Sequence, residues 1–227
     1  MHRITQAREK GLYTTALAVD ISQFFPSIRH DVLEAILTYQ GFPPFLVNCI
    51  RNWLEARATI YAMAAAHSNR FSLNIGVPQG DPLSPLLSAL YIAPVLFRLF
   101  DNTFHRPLAC IFYVDDGVLI HSSTSMHYNM YVLKTKFQQL VEAFREFGLT
   151  LEPAKMELMH FSAYDLTKRG KPLFSGPFPS MDLGVAPFTG DTPLKPALLW
   201  RYLGFFFDPK LSFSYHVDFY VHPLLDL

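Results

Sequence analysis

The chain has 227 residues, 50% of them hydrophobic and 15% aromatic, with nineteen basic against nineteen acidic side chains. That length allows one large or two small domains with a real core, and a net charge of zero excludes any bulk electrostatic pull toward nucleic acid. The two cysteines, Cys49 and Cys110, have no metal-ligand spacing and form no disulfide framework, which suits a reducing compartment.

The opening segment from Met1 to Lys10 lacks an apolar core and does not read as a secretory signal. A strand is predicted over Ala16 to Ile21, carrying Asp20 near its end. After Pro26 a helix is expected from His30 to Tyr39, with Val32, Leu33, Ile36 and Leu37 on one face. Gly41 to Pro44 stops it, and Phe45, Val47, Cys49, Ile50, Trp53 and Leu54 give the pattern of a second helix. Tyr61 to Ala66 and Phe71 to Ile75 read as a hairpin.

Gly76-Val77-Pro78-Gln79-Gly80-Asp81-Pro82 is a loop rich in turn residues. Asp81 before Pro82, or Ser84 before Pro85, can cap the helix that follows. That helix is apolar on most sides and is expected to be central. Its stretch Leu86 to Phe97 contains Pro94 and falls short of the ~20 residues a membrane span needs. A soluble, intracellular protein with no membrane partner is therefore expected. From His127 to Phe147 the residues Met130, Leu133, Phe137, Leu140, Val141, Phe144 and Phe147 recur at helical spacing, and Gly148 ends the helix. Ala163 to Leu198 is rich in Pro and Gly, with a small basic cluster at Lys168, Arg169 and Lys171 that reads as a solvated loop. Trp200 to Asp208 reads as one more apolar strand, containing Gly204. The order of elements implies an α+β fold, an antiparallel sheet backed by helices.

Chemistry concentrates at Tyr113-Val114-Asp115-Asp116. Two adjacent carboxylates interrupt an apolar run from Cys110 to His121, and an ionised carboxylate in such a setting is costly unless paired or bound to a metal. Asp116-Gly117 is a hairpin-turn dipeptide, so both acids are expected at a tight turn between two strands. An ordinary Asp-Asp-Gly turn explains these residues as well as a metal site does. Asp20 poses the same problem at the end of Ala16 to Val19. If the strands lie side by side, about 4.8 Å apart, Asp20 and Asp115 converge on shared cations. Two divalent ions in such a site serve in-line displacement at phosphorus, and hard oxygen ligands favour Mg²⁺.

Five segments, in order, resemble the palm of a reverse transcriptase, most like those of non-LTR retrotransposons and more distantly those of group II introns and telomerase. They are Ala18 to Phe25, Gly76 to Leu87, Tyr113 to Asp116, Gly148 to Lys155, and Trp200 to Asp208 with Leu211 to His216. The likeness covers roughly residues 14 to 218. It implies a polymerase palm with incomplete fingers and no complete thumb. The chain would be a single partial reverse transcriptase domain over 1–227: palm core 14–162, a Pro/Gly-rich connection 163–198, and a primer-grip-like strand region 199–218.

The resemblance also implies roles. Asp20 and Asp115 would hold two Mg²⁺ ions, which Mn²⁺ can replace, with Asp116 as a supporting carboxylate. The backbone of Ile21 would approach the triphosphate, and Phe25 would be the steric gate against a ribose 2′-hydroxyl; a core phenylalanine is its plainer reading. Gln79 would contact the nucleotide, with Pro78 and Gly80 letting the loop come close. Lys155 would serve the leaving pyrophosphate, a solvated lysine after a proline turn being its equal alternative; Tyr113 would lie near the primer end, and Leu203 and Gly204 would belong to the primer grip. The implied partners are an RNA template with a DNA primer, deoxynucleoside triphosphates and the remainder of a retroelement polyprotein, in the nucleus. The implied activity is RNA-directed DNA polymerisation. Only nineteen residues precede Asp20, with no basic strand pair to hold a triphosphate, so the alternative is an inactive remnant or a domesticated nucleic-acid-binding palm. A nucleotide cyclase, the other palm-type two-metal enzyme, has no primer or template to hold, and the Gly76 to Gly80 loop speaks against it.

Overall fold

The computed structural model describes residues 2–59, 62–63, 66–67, 71–100, 108–162, 164–165, 171–172, 176–185 and 193–225. The chain opens on a helix absent from the sequence expectations, α1 (His2–Glu9), which buries Ile4 and Ala7. Strand β1 (Tyr13–Asp20) leads into the short α2 (Phe24–Ser27). Next come α3 (His30–Tyr39), with the predicted bounds, and α4 (Pro44–Glu55), with Pro44 in its first turn where no amide donor is needed. In the region read as one hairpin, β2 (Ala58–Thr59) pairs with β5 (Phe71–Ser72), and β3 (Ala62–Met63) with β4 (Ala66–His67). The rest of that expected hairpin, at Tyr61 and Ala64 to Ala65, lies outside the described residues.

Helix α5 (Ser84–Phe100) buries Leu87, Tyr91, Ile92 and Val95. It is not buried on all sides, because Leu86 and Phe97 project away from that stripe and are exposed. Strands β6 (Leu108–Tyr113) and β7 (Asp116–Ser123) form a hairpin, followed by α6 (Met126–Glu146). Gly148, at φ 73, ends the last turn as expected. After a 3₁₀ turn at Pro153–Lys155 come β8 (Glu157–Phe161), β9 (Tyr164–Asp165) and β10 (Lys171–Pro172). Lys168 and Arg169 lie outside the described residues. The stretch read as a single strand is instead a hairpin of β11 (Trp200–Tyr202) and β12 (Phe205–Phe207). Leu203 and Gly204 form its turn, at φ 47 and 83, the pattern of a type I′ connection. Helix α7 (Ser214–Leu225) closes the order. No helix among the described residues is long and apolar enough to cross a membrane.

The chain divides into two compact units: one of residues 1–20, 100–140 and 151–227, the other of 21–99 and 141–150. The first unit contains a four-stranded antiparallel sheet in the order β6-β7-β1-β8. Strand β1 lies inside this sheet and buries seven of its eight residues. Its Ala16 and Ala18 join Ala109, Val118, Ile120, Met159, Phe161 and Trp200 in one cluster. On alternate positions Leu17, Leu119 and Leu158 are fully buried, and His121 of the same face bonds Asn129 of α6 at 2.7 Å. Asn129 begins a stripe of zero exposure that continues through Leu133, Phe137 and Leu140, so α6 covers this second face. Burial on both sides explains why β1 reads as a continuous apolar run rather than an alternating one.

In the second unit the Gly76 loop hangs from α2. Val77 donates its N–H to the Phe25 carbonyl at 2.9 Å, and Gly76 donates to Ile28 at 2.7 Å. Gly76 has φ 83, and an added Cβ would lie 3.1 Å from the Pro26 carbonyl oxygen, so only glycine fits. Both His30 and Arg57 reach the Gly76 carbonyl at 2.8 Å. The fully buried Tyr91 donates its hydroxyl to the Phe147 carbonyl at 2.6 Å.

Candidate active site

The register of β1 and β7 sets Asp20 directly opposite Asp116. Asp115, which the sequence reading brings together with Asp20 on shared cations, lies beside Asp116 in the β6–β7 turn. Tyr113 pairs with Asp116, leaving Val114 and Asp115 as a two-residue turn. The turn therefore lies two residues earlier than the Asp116-Gly117 dipeptide suggests. Gly117 serves another end. A Cβ there would lie 2.4 Å from the Phe112 ring and 2.8 Å from the Val19 side chain, so glycine lets the strands pack beside the acids. Val114 is the first central residue, with φ 58. A β-branched residue in that region stores about 1–3 kcal/mol of strain.

Lys155 reaches Asp20 by a short local route. Glu152 donates its N–H to the Asp20 carbonyl at 2.9 Å, its own side chain accepts from Ala154 N–H, and Pro153 opens the 3₁₀ turn. The turn ends on Lys155, whose Nζ donates to both carboxylate oxygens of Asp20 at 3.0 Å. The Asp20 side chain is only 9% exposed against 62% for Lys155, so a buried carboxylate is matched from its solvent side. This ion pair, and then the further charges of Asp115 and Asp116, raise the Lys155 ammonium above its ordinary value.

Asp116 is differently placed. Burial first, and then the charges of Asp115 and Asp20, push its carboxyl up, with Lys155 opposing. Tyr202 of β11 donates its hydroxyl to the Asp116 carbonyl at 3.3 Å. Burial and the nearby Asp116 charge raise the Tyr202 phenol to about 12, so it stays a donor. Sequence reasoning missed this Tyr202 contact, because its separation from the acids leaves no local signal. Tyr113 is well exposed at the end of β6.

Three carboxylates around one strand pair, with Lys155 as their cationic partner at Asp20, are hard oxygen donors with a net negative charge, which is the donor set a divalent cation of the Mg²⁺ type takes. As they stand, no three His, Cys, Asp or Glu side chains among the described residues are gathered tightly enough to enclose an ion. Both oxygens of the Asp20 carboxylate are engaged by Lys155.

The remaining predicted residues lie on the β11–β12 turn and in the second unit. Leu203 and Gly204 form the β11–β12 turn, where the Gly204 carbonyl accepts from the Tyr220 hydroxyl at 3.0 Å. Ile21 begins the second unit, with its side chain 1% exposed. Phe25 is half-buried and stacks on Phe24, ring centroids 6.2 Å apart. Its carbonyl anchors the loop of half-buried Pro78 and exposed Gln79 and Gly80. Ser84 donates to the Pro78 carbonyl at 2.6 Å, and Asp81 accepts from Leu83 N–H at 2.8 Å. These contacts fix the loop to the start of α5. His30 and Arg57, which bind the Gly76 carbonyl, carry no sequence signal for that role.

Residues 1–207 match the family described as "Reverse transcriptase (RNA-dependent DNA polymerase)". The chain is 24% identical, over 96% of its length, to "Probable RNA-directed DNA polymerase from transposon BS" of Drosophila melanogaster, of which it covers 23%. It is also 24% identical, over 68% of its length, to the "Retrovirus-related Pol polyprotein from type-1 retrotransposable element R2" of Popillia japonica, of which it covers 25%. It thus spans about a quarter of the length of these relatives. In fold it is similar to apo telomerase from Candida tropicalis truncated from its C-terminal domain, with a TM-score of 0.59 at 11% identity, covering 94% of this chain and 38% of that one.

Proposed function

Because this chain belongs to the reverse transcriptase family, we propose that it carries the nucleotidyl-transfer site of an RNA-directed DNA polymerase of the non-LTR retrotransposon type. The observation that carries this reading is the register pairing of Asp20 with Asp116 beside the turn residue Asp115. The substrates are deoxynucleoside triphosphates and a DNA primer annealed to an RNA template.

Asp20, Asp115 and Asp116 are the ligands for two Mg²⁺ ions. When bound, these would polarise the attacking 3′-oxygen and offset charge on the leaving group. Tyr113 meets the primer terminus, a role its exposure at the end of β6 supports, and Tyr202 steadies the Asp116 backbone from β11. Leu203 and Gly204, at the tip of the β11–β12 hairpin, are the primer-grip residues. Lys155 offsets charge on, or protonates, the departing pyrophosphate. Ile21, Phe25, Gln79 and Gly80 are the nucleotide-contacting residues, with the Phe25 ring as the gate against a 2′-hydroxyl, and Pro78 serves the primer and template. All of these residues are parts of one reverse transcriptase domain within a longer retroelement polyprotein, in keeping with the quarter of its relatives that the chain spans.

A second reading, a palm fold that binds nucleic acid without catalysis, draws on the Asp20–Lys155 pair, which occupies a required ligand. Primer extension on poly(rA)–oligo(dT) with Mg²⁺ separates the two. Extension by the wild-type chain and its loss in Asp115→Asn are the expected outcomes. Undiminished extension in the variant overturns the metal assignment, and a folded wild-type chain that does not extend favours the second reading.

A further inference from the structure

The donor set suits a divalent cation, yet the carboxylates do not enclose one. The ammonium of Lys155 touches both oxygens of Asp20 at 3.0 Å, so a cation shared with Asp115 or Asp116 would meet a positive charge already seated on that carboxylate. A buried carboxylate without a counter-charge is strongly disfavoured, and here the counter-charge comes from a side chain 62% exposed on a three-residue turn. Such a lysine swings away at little packing cost. Its replacement by a divalent ion would restore neutrality at Asp20 and at the same time relieve the like charges of Asp115 and Asp116.

We propose that Lys155 is a displaceable internal cation that holds the Asp20 carboxylate until a divalent ion takes its place. The proposal rests on the metal-site reading above and adds its regulation. Metal entry and release of Lys155 are then one event. The empty site is kept at low affinity, and the ammonium becomes free to meet an anion only after the metals are seated. A lysine fixed permanently on Asp20 could not serve a leaving pyrophosphate; a displaced one can.

The test is Mn²⁺ binding to the full metal-free chain, read from loss of the free-ion electron paramagnetic resonance signal. Wild type is compared with Lys155→Met, Lys155→Gln and Lys155→Arg. If the ion pair is formed ~90% of the time, removing the ammonium raises apparent affinity about tenfold. Lys155→Met and Lys155→Gln should both show this gain, and two neutral replacements guard against one that folds poorly. Lys155→Arg, which keeps a cation on the carboxylate, should bind no tighter than wild type. Asp20→Asn should abolish the gain in the Lys155→Met background.

Should the neutral variants bind Mn²⁺ equally or more weakly while Asp20→Asn still removes binding, Lys155 does not compete and this proposal falls; the metal site survives. Binding that is indifferent to both Asp20→Asn and Asp116→Asn, or that is missing from every protein, overturns the metal site itself and this proposal with it.

Discussion

The four-stranded sheet and the C-terminal segment of β11, β12 and α7 are both built from apolar side chains, but they use them differently. Along β1, seven of eight residues are buried, and Phe161 of β8 is fully enclosed. In the C-terminal segment, Phe205 is 53% exposed, Phe219 47% and Tyr215 46%. Their rings still touch: Phe206 lies 5.0 Å from Phe219 and 5.0 Å from Tyr215, centroid to centroid. Apolar content alone does not separate the two regions; enclosure does. The carboxylates are anchored to the enclosed one, where neighbouring strands hold the backbone to a single register.

Four outcomes would break or sharpen this contrast. The largest expected effect is Phe161→Ala, which opens a cavity in the enclosed cluster and should cost about 3–5 kcal/mol in denaturant titration. A loss below about 1 kcal/mol there would mean the sheet core is not the seat of stability.

Acid comes next. His121 and His160 are buried, and desolvation chiefly lowers both below the ordinary imidazole value, against partial support from Asn129 and from the Pro179 carbonyl. The unfolded chain therefore binds more protons than the folded one below the unperturbed pKa of about 6.5. The stabilising effect of keeping these rings neutral is complete above that pH. It is lost as pH falls from it toward the lowered folded values, at up to about 1.4 kcal/mol per pH unit for each ring. His160→Gln should flatten the profile of unfolding midpoint against pH, and an unaltered slope would remove His160 from this role.

Phe219→Ala, on the exposed side of the comparison, should cost about 1 kcal/mol or less in the same titration. The smallest effect has the opposite sign. Burial and two like charges disfavour the ionised form of Asp116, so Asp116→Asn in metal-free buffer should raise the melting temperature by about 1–2 °C, since solvent screens much of the repulsion. A drop on calorimetry would show that the Asp116 carboxylate has a stabilising partner.

The sequence made some of this legible and hid the rest for identifiable reasons. Helices α3, α4 and α6 follow the spacing of Leu33, Ile36 and Leu37, of Val47, Ile50 and Leu54, and of Leu133, Phe137 and Leu140, because each packs through one stripe. The acids of the site stood out because charge in an apolar run has few explanations. The expected turn of the acid-bearing hairpin was displaced by two residues because Gly117 looks like a turn residue and is instead a spacer against Phe112 and Val19. The β11–β12 turn was invisible because a leucine occupies its first left-handed position. Strand β8 was missed because burial of four of its five residues erases the alternation that marks a half-buried strand. The Lys155 contact spans 135 positions, and only the folded sheet brings its two ends together.

The turn at Val114 and Asp115 also acts as a counter. Beyond it, Val118 and Ile120 point into the cluster with Met159 and Trp200, while Leu119 and His121 point to the face of α6. Adding or deleting a single residue there inverts the parity of everything downstream in β7. The two sets of side chains would trade faces, and Gly117 or Asp115 would stand opposite Asp20. An even change keeps every side chain on its own face but still moves Asp116 away from Asp20, whereas an odd one disrupts the acids and the interior together.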